Sequence, residues 1–141
     1  MHTLPGRTFH ADYTRLPDGR VRPYLLVQIE VGGRQSAQVP MLVDTGADAC
    51  FVDHRIAYSV GINPIDGGAM GTVLGVSSEQ PTARYPVDLQ IPSLGLSMRV
   101  DVYFSILNMP GLNGLLGHEG FLNRFRRVSF YPGQTFELEL R

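Results

Sequence analysis

Apolar and polar residues alternate along several stretches of this chain, with the period of a β-strand that buries one face. The clearest stretch covers residues 25–31, where four apolar side chains occupy every second position. The same alternation covers residues 87–91, 96–104 and 136–140. The pattern therefore predicts strands in all four regions.

Glycine and proline predict where these strands turn. Gly32-Gly33 accepts the positive φ angles of a tight hairpin, and a second extended run follows from Gln35 to Val43. Pro17-Asp18-Gly19 and Pro132-Gly133 are turn signals near the two ends of the chain. We therefore expect antiparallel strands joined by short turns.

Two short segments predict helices. Asp53–Val60 has a possible N-cap at Asp53 and is closed by Gly61, and Glu119–Phe125 is amphipathic. Residues 63–80 are rich in glycine and serine, which predicts an excursion from the body of the fold. Many short strands with one or two short helices indicate a mostly β fold of the closed-barrel type.

Length and charge narrow the class of protein. The chain has 141 residues, which predicts one domain over 1–141, with 1–21 as an N-terminal extension or first hairpin and 22–141 as the core. Its net charge is −1, which disfavours a nucleic-acid partner. No apolar run approaches the ~20 residues that span a bilayer, and the N-terminus lacks a signal-peptide pattern. We expect no membrane segment and a cytoplasmic protein.

Cysteine and histidine give no sign of a metal site or a cofactor. Cys50 is the single cysteine, so it closes no disulfide within the chain, and its apolar neighbours predict a buried structural residue. The four histidines lack ligand spacing. We expect neither a metal nor a cofactor.

The chemical signal is Asp44-Thr45-Gly46-Ala47, which directly follows the apolar residues 41–43. A hydrophobic-hydrophobic-glycine element, Leu115-Leu116-Gly117, lies about seventy residues downstream. In order and spacing the chain resembles the retropepsin-like aspartic proteases, single-domain enzymes of retroviral type with cellular and bacterial members. The resemblance covers roughly residues 24–140 and implies the acid-protease barrel. It also implies that Leu115-Leu116-Gly117 opens a short helix.

The residue types of the first motif suit this chemistry. A carboxylate on a turn after a buried strand is held still and points into a cleft. Gly46 lets backbone pass close to it, and Ala47 adds no bulk to the floor. By the resemblance, the Thr45 hydroxyl bonds across a dimer axis.

One aspartate is insufficient for the reaction, because one group must activate water while another protonates the scissile carbonyl oxygen. Two carboxylates ~3 Å apart cannot both ionise, so a pair shares one proton and does both. The chain carries the motif once. The second Asp44 must come from another copy, which predicts a symmetric homodimer.

Further residues are assigned by the resemblance. Asp48 is a substrate-binding candidate, and His118 stands where the family has an arginine that can hold this acidic residue. An Asp48–His118 contact is therefore predicted, against the alternative of a solvated histidine. Leu116, Gly117 and His118 are expected to be structural. The flap tip that closes over the peptide is assigned to Val73, Leu74, Gly75 and Val76, and the candidate subsite walls are Leu112, Asn113 and Leu115, the last of which could equally be core.

These features predict a metal-free aspartic endopeptidase that uses water between two Asp44 carboxylates to cleave an extended peptide or protein substrate. The alternative is a catalytically silent domain of the same fold that dimerises or binds peptides.

Overall fold

The structure, a computed structural model, describes residues 6–63, 69–72, 81–107 and 111–141. One α-helix, α1 (His54–Ser59), and two 3₁₀ turns, Pro92–Leu94 and Leu122–Arg124, occur in these ranges. The strands are β1 (Thr8–Asp12), β2 (Thr14–Arg15), β3 (Val21–Arg22), β4 (Tyr24–Val31), β5 (Arg34–Gln35), β6 (Val39–Val43), β7 (Cys50–Asp53), β8 (Ala69–Thr72), β9 (Pro81–Ile91), β10 (Leu96–Ser105), β11 (Gly114–Leu116), β12 (Phe125–Tyr131) and β13 (Thr135–Leu140).

Six of the strands close into a barrel. The largest sheet has the order β5-β4-β6-β11-β7-β10-β9-β8, and β4 also pairs with β9. In that closing pair Ile29 lies opposite Leu89 in an antiparallel register. The barrel therefore runs β4-β6-β11-β7-β10-β9 and back to β4, which confirms the mostly β, closed-barrel prediction.

The barrel interior is filled by the alternating apolar positions of the sequence. Val27, Ile29 and Leu89 are fully buried, as the alternation predicts. Each large apolar side chain removed from water in this way contributes about 1.5–3 kcal/mol. The other large, fully buried members of this core include Met41, Val52, Ile91, Phe104, Leu116, Phe121, Phe136 and Leu138.

The two ends of the chain form a second sheet with the order β1-β13-β12. Phe9 lies opposite Leu138, and both side chains are buried in the barrel core. The part of the chain before residue 22 therefore divides in two, because β1 joins the C-terminal strands while β2 and β3 form a separate hairpin. The Gly32-Gly33 turn also forms, with φ angles of 57° and 84°.

The predicted extended run from Gln35 to Val43 is interrupted, since no strand occupies residues 36–38. The buried Ser36 replaces strand pairing there. Its Oγ accepts the Ile29 N–H at 2.9 Å and donates to the Ala37 carbonyl at 2.9 Å. A side chain thus satisfies backbone groups that a ladder would otherwise pair.

The predicted helix over residues 119–125 is wrong, because only the 3₁₀ turn Leu122–Arg124 forms there. Gly120 has a φ of 99°, which an α-helix does not accept. Leu115-Leu116-Gly117 likewise opens no helix, since its first two residues lie in β11.

The first helix is shorter than predicted and is not capped by Asp53. The Asp53 carboxylate, which is almost fully buried, accepts hydrogen bonds from Arg55 Nε at 2.5 Å and from the Leu107 N–H at 3.4 Å. It makes no side-chain bond to a helix N–H. Within the described ranges, no helix is long and apolar enough to cross a membrane.

Candidate active site

Asp44 lies where β6 ends, at the point where the two motifs of the sequence meet. β11 lies between β6, to which it is parallel, and β7, to which it is antiparallel. The Asp44 N–H continues this pairing by donating to the Leu116 carbonyl at 3.0 Å. Asp44 is partly exposed, and Thr45 and Gly46 are exposed. The Asp44 carboxylate therefore lies at the surface, while Val43 of β6 and Leu116 of β11 next to it are buried.

The turn after β6 holds the Asp44 side chain in one orientation. The Gly46 N–H donates to Asp44 Oδ1 at 2.8 Å, and the Ala47 N–H donates to the Asp44 carbonyl at 3.2 Å. A Cβ on Gly46 would stand 3.2 Å from Oδ1. Glycine therefore leaves the space that this carboxylate occupies.

Gly117 allows two backbone segments, 47–49 and 117–119, to lie side by side in close contact. A Cβ at this position would lie under 3.0 Å from the carbonyl oxygens of both Ala47 and Ala49. The segments are joined by the His118 N–H to the Ala47 carbonyl at 3.0 Å and by the Glu119 N–H to the Asp48 carbonyl at 2.8 Å. The downstream glycine element thus fixes the back of the aspartate turn.

His118 contacts the aspartate turn, although not through the predicted partner. Its Nε2 lies 2.6 Å from the Thr45 carbonyl oxygen. Because a carbonyl oxygen only accepts, Nε2 carries the hydrogen. No ion pair joins His118 to Asp48 in the part of the chain that the structure describes, and both side chains are exposed. The described structure thus shows a side-chain bond from His118 to the backbone next to Asp44 rather than an ion pair with Asp48.

A second apolar cluster packs beside the turn, outside the barrel core. Ala47 and Leu115 both belong to it, so Leu115 is buried, as the core alternative for this residue predicted. Phe51 was not predicted, yet its ring is fully buried there and lies 5.8 Å from the Tyr103 ring. Every residue of β7 is buried, because the strand has apolar clusters on both faces. The cluster comprises Ala47, Ala49, Phe51, Leu107, Leu112 and Leu115, with Leu42 and Tyr103 packed against it.

Asn113 fixes the loop before β11. Its side-chain Nδ2 donates to the Pro40 carbonyl at 3.3 Å, and its carbonyl accepts the Asp53 N–H at 2.9 Å. The structure thus shows Asn113 as a loop anchor, and its place in a substrate subsite stays a prediction. The predicted flap tip, Val73–Val76, lies outside the described residues.

Cys50 is buried, and burial raises the pKa of its thiol to about 11. The thiol is therefore protonated near neutral pH and does not act as a nucleophile. No group of three histidine, cysteine or acidic side chains able to hold a metal occurs in the ranges that the structure covers.

The chain is similar to known proteins in its fold and in its sequence profile. A retropepsin-like aspartic protease from Rickettsia conorii is similar over 100% of both chains, with 16% identity and a TM-score of 0.61. An inhibitor complex of EIAV protease is similar over 69% of this chain and 82% of its own, with 20% identity and a TM-score of 0.48. No match was found among curated proteins. The sequence profile of the family described as aspartyl protease matches residues 27–119, which include Asp44 and Gly117. The chain belongs to the aspartyl protease family.

Proposed function

We propose that this protein is an aspartic endopeptidase whose active site forms when two copies bring their Asp44 carboxylates together. The observation that carries the proposal is the fixed, partly exposed Asp44 carboxylate at the end of β6, beside the parallel strand β11. One chain supplies this group once, whereas peptide hydrolysis by this chemistry needs a base and an acid. The homodimer supplies both.

In the proposed reaction, the two Asp44 carboxyl groups share one proton and hold a water molecule between them. The ionised carboxylate takes a proton from the water as its oxygen attacks the scissile carbonyl carbon. The protonated carboxyl group donates its proton to the carbonyl oxygen, which gives a neutral tetrahedral intermediate. Because the Gly46 N–H fixes each carboxylate, little reorganisation is needed during the step.

The exposed Thr45 gives a physical reason for the dimer. Thr45 directly follows Asp44 and is exposed, so a second copy of the same turn can approach it. We assign it a hydrogen bond across the dimer axis. Ala47 forms the floor of the cleft, where the small side chain leaves room for peptide backbone, and the exposed Asp48 is free to bind substrate.

His118 acts in this scheme as a positioning residue. Its bond to the Thr45 carbonyl restrains the residue between the catalytic carboxylate and Gly46. Leu116 supports the same turn from behind through its carbonyl, which accepts the Asp44 N–H. The substrate is an extended peptide or protein segment, whose backbone the predicted flap tip, Val73–Val76, binds.

Incubation with a mixed peptide library at about pH 4 to 7 tests the proposal, because a shared-proton pair works in that range. The wild type is expected to cleave, Asp44→Asn to be inactive, and a pepstatin-type inhibitor to block cleavage. Asp12→Asn is the matched control, since Asp12 is an exposed aspartate in β1.

Sedimentation at micromolar concentration accompanies the assay. Dimerisation without cleavage by the wild type would favour the silent, peptide-binding alternative. A strict monomer that still cleaves peptides would contradict the two-carboxylate mechanism.

A further inference from the structure

A cavity of about 240 Å³ lies on the outer side of the barrel, where β9 and β10 meet the loop that follows Gly117. Along β10, Arg99, Asp101 and Tyr103 alternate with buried positions, so their side chains share the outer face of the strand. Arg84 of β9 lies opposite Tyr103 in the antiparallel register. These four side chains line the cavity together with Glu119 and Arg124. The wall of the cavity is therefore mostly charged.

Two of the three arginines at this cavity lack an acidic partner among the described residues. Arg99 forms an ion pair with Asp88 at 3.5 Å. Arg84 and Arg124 are exposed and form no ion pair in the part of the chain that the structure describes. The Arg124 guanidinium donates to the Arg99 carbonyl, which holds it at the cavity. Both side chains are therefore available to an external anion.

The positive charge continues from the cavity along one end of the β1-β13-β12 sheet. The Arg124 carbonyl accepts the Arg141 N–H at 3.4 Å, and the Arg7 carbonyl accepts the Leu140 N–H at 2.9 Å. Arg7 and Arg141 are exposed, and neither forms an ion pair within the described ranges. We call this set of arginines the basic strip. It comprises Arg7, Arg84, Arg99, Arg124 and Arg141.

The basic strip is a local excess of positive charge, because the whole chain has a net charge of −1. Arg126 and Arg127 do not add to it, since they pair with Glu139 at 3.0 Å and 3.8 Å. The strip consists of arginines alone, and the chain contains no lysine. An arginine guanidinium binds a carboxylate through two parallel N–H bonds, which a lysine ammonium cannot do. The strip therefore suits carboxylate ligands.

The basic strip is separate from the candidate catalytic turn. Asp44 follows β6, whereas Arg99 and Arg84 belong to β10 and β9. In the barrel order β4-β6-β11-β7-β10-β9, β6 and β10 are three strands apart in either direction. The two strands therefore lie on opposite sides of the barrel. A ligand on the outer face of β10 leaves the Asp44 turn free.

We propose that the basic strip binds an acidic segment of a partner protein, with the cavity at its centre. The aspartate and glutamate side chains of that segment bind Arg84, Arg124 and the arginines beside them. Asp101 and Glu119, which also line the cavity, accept backbone N–H groups of the segment. This binding is independent of the proposed function, because it requires no cleavage.

The mixed charge of the cavity favours a peptide over other anionic partners. Asp101 and Glu119 repel the closely spaced phosphates of a nucleic acid or of an anionic membrane surface. An acidic peptide instead carries its carboxylates on separate side chains, and its backbone supplies N–H donors to these two residues. A protein segment is therefore the occupant that this lining fits.

Fluorescence anisotropy with the full chain tests the proposal. The probe is a rhodamine-labelled peptide of alternating glutamate and serine, the reference carries glutamine in place of glutamate, and mass spectrometry verifies that both stay intact. The wild type is expected to bind the glutamate peptide about tenfold more tightly at low salt, because hydrogen bonds between charged groups are the stronger ones. Added salt should weaken this binding, since the arginines are exposed.

Paired arginine substitutions locate the site. Arg84→Gln with Arg124→Gln is expected to weaken binding of the glutamate peptide about tenfold. Arg15→Gln with Arg34→Gln is the matched control, because it removes the same charge from two exposed arginines that do not line the cavity, and its affinity should stay within about twofold of the wild type. Arg84→Gln alone should weaken binding about threefold, and this exposed side chain is not part of the core.

Three results would overturn the proposal. The first is an equal loss of affinity in the two paired variants, because net charge alone would then explain the binding. The second is equal binding of the glutamate and glutamine peptides to the wild type. The third comes from vesicles with phosphatidylserine and from duplex DNA titrated in the same way. Tighter binding of either than of the glutamate peptide, lost with Arg84 and Arg124, would replace the protein segment as the occupant.

Discussion

Gly117→Ala is expected to destabilise the fold strongly while adding only one methyl group. The new Cβ would stand 2.6 Å from the Ala47 carbonyl oxygen, where an ordinary contact is 3.4–4 Å, and it would approach the Ala49 carbonyl oxygen as well. Neither oxygen belongs to a flexible side chain. The two backbone segments must therefore separate by roughly 0.8 Å or more, and overpacking of this kind lowers the free energy of unfolding.

The cost follows from what that separation breaks. Overpacking of a tight site costs about 1–3 kcal/mol. The Ala47 carbonyl accepts the His118 N–H, and the adjacent Asp48 carbonyl accepts the Glu119 N–H. Losing these bonds adds about 1 kcal/mol each. The expected total of about 3–5 kcal/mol is a large share of the about 5–15 kcal/mol that stabilises a typical domain.

Gly46→Ala is the matched control in the same site. Its Cβ would meet one atom, Asp44 Oδ1, at 3.2 Å, and Gly46 does not have a positive φ. We expect its free energy of unfolding to stay within about 1 kcal/mol of the wild type, whereas peptide cleavage falls because the carboxylate is displaced. Urea denaturation followed by circular dichroism, at fixed protein concentration, measures both variants. Equal stability of Gly117→Ala and Gly46→Ala would refute the close approach of the two backbone segments at Gly117.

Four further predictions concern thiol reactivity, stability, pH dependence and catalysis. Cys50, whose pKa burial raises to about 11, should resist iodoacetamide in the native protein and react after unfolding, as mass spectrometry can show; rapid native labelling would contradict its burial. Because that pKa is raised, the protonated Cys50 thiol contributes fully to the free energy of unfolding below the unfolded-state pKa of about 9. This contribution is lost as pH rises towards 11. Phe136→Ala should cost about 3–5 kcal/mol in urea denaturation, since the ring is fully buried against Tyr13 and Phe130, and a loss under about 1 kcal/mol would speak against this packing. The Arg126 side chain lowers the pKa of Glu139. This pair therefore stabilises the fold above the unfolded-state pKa of the carboxyl group, and the stabilisation is lost as pH falls through the lowered pKa. Glu139→Gln should flatten the acid side of a curve of unfolding free energy against pH. His118→Ala should reduce kcat more than it changes KM, and an unaltered kcat would remove its positioning role.

Local pattern was sufficient to predict the barrel strands. The alternation over residues 25–31 and 96–104 shows which face is buried, because period two is a property of each strand alone. The positions of the aspartate turn and of the glycine element were also predictable, since each is a contiguous motif, but the helix expected at the glycine element does not form. Neither motif alone shows that the two come together in space. They do so through the hydrogen bond that the Asp44 N–H donates to the Leu116 carbonyl.

Features set by distant partners were not predictable from the sequence. His118 bonds to the Thr45 carbonyl because the close approach of two backbone segments brings that oxygen within reach, whereas the family resemblance favoured Asp48. Residues 119–125 carry buried apolar groups at helical spacing, yet Gly120 and packing against the barrel end select a 3₁₀ turn. Phe51 was missed because both faces of β7 are buried, which removes the alternation.

The central claim is that two Asp44 carboxylates from different copies make one active site, and a subunit-mixing assay tests it most directly. Wild-type protein is equilibrated with a ninefold excess of Asp44→Asn, and peptide cleavage per wild-type chain is measured. Random pairing leaves about a tenth of wild-type chains with a wild-type partner, so activity should fall roughly tenfold, while the same excess of Asp12→Asn should not lower it. Activity that stays unchanged in the presence of excess Asp44→Asn would contradict the shared site.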